Sequence, residues 1–77
     1  MFKFIYDETE QEYSLWWDGF EHKLGTLQEV EQERWKCCPQ YQAHYQLGLK
    51  YREICAETKE EAAAIWLGAI AENEEVL

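Results

Sequence analysis

Residues 58 to 72 constrain the fold of this chain most, because they carry the pattern of a capped amphipathic helix. Thr58 precedes Glu61 by three residues. That is the capping-box spacing, in which the hydroxyl accepts from the N3 amide and the carboxylate reaches back to the cap amide. Glu57, Glu60 and Glu61 stand where the positive end of a helix dipole favours acid. The run from Ala62 to Ala71 is rich in strong helix formers. Ala62, Ile65, Trp66, Ala69 and Ile70 follow the i, i+3, i+4, i+7, i+8 stripe that faces a core. Ala63 and Leu67 widen the stripe, so the helix is expected to be covered on more than one side. Gly68 costs about 1 kcal/mol against Ala in a helix interior, which predicts close packing at that point. Glu72, Glu74 and Glu75 oppose the dipole at the other end and predict a frayed terminus.

Upstream, Phe2, Phe4 and Tyr6 alternate with Lys3 and Ile5, a period of two in β-favouring residues. Asp7 to Glu12 is polar and acidic. Tyr13, Leu15 and Trp17 alternate again, and Asp18-Gly19 is a turn signal. The pattern predicts a β-hairpin, Phe2–Asp7 with Glu12–Trp17, and leaves room for a short third strand at Phe20–Leu24. A helix from Thr9 would also align Tyr13, Trp17, Phe20 and Leu24, but Gly19 and the aromatic, β-branched start argue against it.

Thr26 and Glu29 repeat the capping-box spacing and predict a second helix from Gly25-Thr26, with Leu27, Val30, Cys37 and Cys38 on one face and Trp35 at its edge. Pro39 would end it, since the residue before a proline is pushed out of the α region. Tyr41 to Ala56 satisfies two periods at once. Tyr41, Ala43, Tyr45, Leu47, Leu49 and Tyr51 alternate, while Ala43, Leu47, Tyr51 and Ile54 step as on a helix. Composition and length favour the helix.

The fold class expected is therefore α+β, one domain over residues 1–77. An N-terminal antiparallel hairpin, with two or three strands, packs against two or three helices, the Thr58 helix central. Two alternatives stay open: an all-α bundle, and a ββα unit used twice. The paired Thr-x-x-Glu spacings, with Trp35 and Trp66 at similar offsets, hint at the second.

A chain of 77 residues is one domain, and its twelve aromatics, four of them Trp, supply a core without staples at ~150–250 Å² each. No apolar run approaches the ~18 residues of a membrane span, and no basic–apolar leader is present. Three cysteines, two of them adjacent, fit reduced thiols and a cytoplasmic location. Sixteen acids against seven bases leave a net charge of −9. Direct nucleic-acid binding is not expected, because it depends on neutralising phosphates with Lys and Arg. The field instead attracts basic surfaces, although acid also serves solubility alone.

The motifs point away from catalysis. Cys37, Cys38, Cys55, His22 and His44 lack zinc-ligand spacing, so no metal or cofactor is expected. His44 and Cys55, eleven residues apart, would be separated by ~16 Å on one helix. No glycine-rich phosphate loop, Gly-x-Ser-x-Gly or His-Glu-x-x-His motif occurs. Trp16 and Trp17 point to opposite sides of a strand, and Trp17 shares parity with Tyr13 and Leu15, which leaves Trp16 outward. Beside Asp18 and Glu21 it has the make-up of a hot spot with an acidic rim. The expected site is thus Trp16 as anchor with Asp7, Glu8, Glu10, Glu12, Asp18, Glu21, Glu29 and Glu33. The expected function is that of a small acidic, non-enzymatic module that binds a protein with a basic surface, or a second copy of itself.

Ala43, Leu47-Gly48, Tyr51, Ala62, Trp66 and Ala69 resemble one tetratricopeptide or Sel1-like repeat, if 41–72 forms two helices. The step from Tyr51 to Ala62 is about two residues longer than in the tetratricopeptide pattern, and His44 replaces a large apolar residue. The resemblance covers under half of the chain and implies a helical scaffold for protein–protein contact or oligomerisation. In size and charge alone, the chain resembles phage anti-defence proteins, anti-CRISPR proteins among them. That likeness implies an inhibitor, a nucleic-acid mimic that occupies a basic groove.

Overall fold

The computed structural model describes residues 2–76, the side chains of 69–76 excepted. Seven elements follow one another: β1 (Phe2–Asp7), β2 (Glu12–Trp17), β3 (Gly25–Glu31), β4 (Arg34–Pro39), α1 (Tyr41–Leu47), β5 (Arg52–Cys55) and α2 (Lys59–Val76). The strands form one antiparallel sheet in the order β1-β2-β3-β4-β5, so every strand lies beside its neighbour in sequence. The α+β class and the N-terminal hairpin stand. Neither the all-α bundle nor a repeated ββα unit describes a single five-stranded meander.

The first hairpin follows the alternation to the residue. Phe2 lies opposite Trp17, Phe4 opposite Leu15 and Asp7 opposite Glu12. The Asp7 carboxylate closes the turn by accepting from the amides of Thr9 (2.9 Å) and Glu10 (3.3 Å). Phe20–Leu24 is not a strand. It forms bends and irregular backbone, anchored where the Leu24 amide donates to the Leu15 carbonyl at 2.8 Å.

The expected helix from Thr26 is overturned: Gly25–Glu31 and Arg34–Pro39 are paired strands, with Thr26 opposite Cys38 and Leu27 opposite Cys37. Period two prevails because it sends Leu27, Trp35 and Cys37 together onto the buried face. Thr26 and Glu29 are spaced as a cap but sit mid-strand. Glu29 instead holds the turn, its carboxylate accepting from the Glu33 amide at 3.2 Å, where Glu33 adopts φ 61°.

The single helix expected over Tyr41–Ala56 is also corrected, into α1 followed by β5. Gly48, at φ 73°, caps α1 in the left-handed conformation that glycine adopts freely. The alternation from Tyr41 to Tyr51 marks no strand, because it runs through α1 and the loop after it, and β5 begins only at Arg52. The two-helix arrangement of 41–72 that carried the repeat resemblance is therefore a helix, a strand and a helix.

α2 begins as expected, with the Thr58 hydroxyl accepting from the Glu61 amide at 3.1 Å. Its buried face is Ala62, Ala63, Trp66 and Leu67, and Ile65 is exposed, so the stripe is rotated from the one expected. The reason lies in the sheet. Two adjacent alanines let the helix lie close, and Trp66 sits over Gly25, where a Cβ would come to 2.7 Å from its ring. Gly68, by contrast, has no neighbouring atom within 4 Å of the place its Cβ would take, so the close packing expected there is absent. The expectations for Ala69, Ile70, Glu72, Glu74 and Glu75 lie outside the described side chains. Leu15, Leu24, Leu27 and Cys37 are fully buried between sheet and helix. Among the described residues no helix is long and apolar enough to cross a membrane.

Candidate protein-binding end

A meander returns alternate connections to the same end of the sheet. The β1–β2 turn, the β3–β4 turn and the β5–α2 junction therefore share one end. Asp7, Glu8, Glu10 and Glu12 lie at the first, Glu29, Glu31 and Glu33 at the second, and Glu57, Glu60 and Glu61 at the third. These are ten of the sixteen acids in the chain. The connections are tied to one another. The Gln28 side-chain amide donates to the Glu10 carbonyl (3.2 Å), and the Ala56 amide donates to the Glu33 carbonyl (2.9 Å).

Two bases stand among these acids. Arg34 reaches Glu31 at 3.5 Å and Glu53 at 3.9 Å. Lys59 pairs with Glu60 at 2.8 Å. Hydrogen bonding to Glu60 raises the Lys59 ammonium above its ordinary range and lowers the Glu60 carboxyl below its own. Exposed pairs of this kind contribute little to stability, so the end keeps a strong negative excess.

The Lys59 ammonium also lies 5.5 Å from the Phe4 ring centre and 5.0 Å from that of Tyr13. It thereby joins the acids to an aromatic ledge. Tyr6 packs on Tyr13 (4.9 Å between ring centres), Tyr13 on Trp35 (6.2 Å), and Phe2 stacks on Trp17 (5.9 Å). Trp35 is buried and Phe4, Tyr13 and Trp17 pack against the core, so the ledge is open only at Phe2 and Tyr6. Tyr6, next to Asp7, is 51% exposed.

Of the expected site residues, Asp7, Glu8, Glu10, Glu12, Glu29 and Glu33 are brought together. Trp16, Asp18 and Glu21 are not among them. Trp16 lies opposite Lys3, ~13 Å along the strand from Glu12, and Asp18 and Glu21 follow in the connection at that far end. Trp16 is half-buried, and its indole N–H is buried with no hydrogen-bond partner among the described residues. The aromatic neighbour of the acids is Tyr6, which the alternation had already placed beside the turn. Glu31 joins the site through the β3–β4 hairpin, which the expected helix concealed, and Glu57, Glu60 and Glu61 join it because β5 carries the chain back to that end. Among the described residues, no three His, Cys, Asp or Glu side chains converge as metal ligands. Comparison with protein families, curated proteins and solved structures finds no match to the chain.

Proposed function

We propose that this chain is a non-enzymatic protein-binding module that sets its acidic end against a cationic protein surface. One observation carries the reading: three separate connections deliver ten carboxylates to one end of the sheet, with the exposed Tyr6 beside them. An acidic field of that shape steers basic partners, and an adjacent aromatic offers the contact area that charge alone does not. The surfaces that suit it best are those that otherwise hold nucleic-acid phosphates, which makes the module an inhibitor by occupation, in the manner of phage anti-defence proteins. The free thiols of Cys37, Cys38 and Cys55 favour a reducing, cytoplasmic setting.

Fluorescent protamine, an arginine-rich protein that naturally holds nucleic acid, is a suitable probe. Its affinity for the chain should fall about tenfold in Glu8→Gln/Glu10→Gln and change less than about twofold in Asp18→Asn/Glu21→Gln, which removes equal charge at the far end. Binding should also weaken as salt shortens the Debye length from ~10 Å to ~3 Å. Equal losses in the two variants, or affinity indifferent to salt, would refute the reading.

A further inference from the structure

We propose that β1 is a self-pairing edge, through which two copies of the chain join β1 to β1 antiparallel and merge their five-stranded sheets into one. The proposal shares Asp7 and Tyr6 with the acidic end but does not rest on the function proposed for it and needs no cationic partner.

β1 is an outer strand of the sheet. Natural edge strands are blunted by shortness, by charged side chains, by proline, by a bulge or by a covering element, and in β1 the charges Lys3 and Asp7 are of opposite sign and can answer each other across a pair. β1 has no proline, and its pairing with β2 runs unbroken from Phe2–Trp17 to Asp7–Glu12. Among the described residues no strand pairs with its outward side, and Phe2 is 44% and Ile5 47% exposed in addition to Tyr6. The opposite edge is shorter: β5 has four residues against the six of β1.

The residues of β1 complement themselves. Alternation places Lys3, Ile5 and Asp7 on one face of the sheet and Phe4 and Tyr6 on the other. A two-fold axis perpendicular to the sheet keeps each face on its own side. With Ile5 on that axis, Ile5 meets Ile5, each Lys3 meets the Asp7 of the other copy, and each Phe4 meets Tyr6. Opposite charges and paired aromatics are the cross-strand combinations that stabilise sheets. The neighbouring register, with Phe4 on the axis, sets Lys3 against Ile5 and gives Asp7 no opposite charge to meet. Charge complementarity thus selects both the occupant, a second copy, and the register. The antiparallel arrangement also keeps the two acidic turns apart, by on the order of 20 Å, about two Debye lengths at 0.1 M salt.

Sedimentation equilibrium of the full chain tests this. The mass should rise from 9.3 kDa toward twice that value. The rise should fall between about 1 µM and about 300 µM chain. Ile5→Lys, which places two ammonium groups on the axis, should abolish the rise. Lys3→Glu should weaken it about tenfold. Ile65→Lys, which removes an exposed apolar residue from α2, should leave it unchanged. Circular dichroism checks that each variant is folded, and Lys3→Glu decides if Ile5→Lys is not. A wild-type chain that stays monomeric throughout overturns the proposal. So does a dimer that persists in folded Ile5→Lys, is indifferent to Lys3→Glu, or disappears in Ile65→Lys.

Discussion

An alanine at Gly25 would drive its Cβ into the Cys38 carbonyl oxygen and to 2.7 Å from the Trp66 ring, and neither the backbone nor the indole has room to withdraw. Gly25→Ala should therefore lose about 2–3 kcal/mol in urea unfolding. At Gly68 the space is empty and the backbone is helical, so Gly68→Ala should gain about 0.5–1 kcal/mol in the same measurement. Cys37 offers a chemical counterpart. Burial pushes its thiol up to about 12, the neighbouring Cys38 adds to the shift, and Arg52 opposes it. The exposed Cys55 should react first with a disulfide reagent, and Cys37 only once the chain unfolds. The folded state holds the Cys37 proton more tightly than the unfolded state, whose thiol titrates near 9.0. Stability should therefore fall as pH rises from about 9 toward 12, and fall less steeply in Cys37→Ala.

The Thr58 hydroxyl holds the first turn of α2 through the Glu61 amide, so Thr58→Ala should cost about 1 kcal/mol in thermal or urea unfolding, with the sheet unchanged in the amide spectrum. That cap was legible in the sequence because a hydroxyl three residues before an acid, ahead of an alanine run, satisfies propensity and capping together. The first hairpin was legible for a similar reason, since its alternation meets no competing period strong enough to displace it. The second hairpin was not. Thr26 and Glu29 have the spacing of a cap, and Leu27 with Val30 the spacing of a helix face. The decision rested on which residues found a core, a tertiary matter. Val30 stays 46% exposed, while Leu27 and Cys37 pair across the ladder and are buried. At Tyr41–Ala56 the helical signal held only as far as Leu47, where Gly48 ends α1 in a left-handed conformation that no periodicity reveals, and the strand that follows, Arg52–Cys55, lies beyond the alternating residues. The candidate site was legible only where its acids lay in the first two turns. The contribution of Glu57, Glu60 and Glu61 depends on β5, whereas the expected hairpin already set Tyr6 beside the turn and Trp16 at its far end, so that preference for Tyr6 was legible.

At the scale of the whole molecule, ten carboxylates crowd one end of a chain whose net charge is −9. Their mutual repulsion opposes folding and is screened by salt. The melting temperature should rise by about 5 °C between low and ~0.5 M sodium chloride, and by less in Glu8→Gln/Glu10→Gln. A different consequence follows from how β5 is held. The Trp35 indole N–H donates to the Ala56 carbonyl just after this strand (3.0 Å), and the Trp66 indole N–H donates to the Lys50 carbonyl just before it (2.7 Å). One tryptophan belongs to β4 and the other to α2. Four residues make a short ladder, so β5 has little hold on the sheet until both rings have found their carbonyls. The order of assembly should follow: the four-stranded meander first, from local pairings, then the last strand and the long helix together, so pulsed hydrogen exchange during refolding should protect β5 and α2 at one common, later rate.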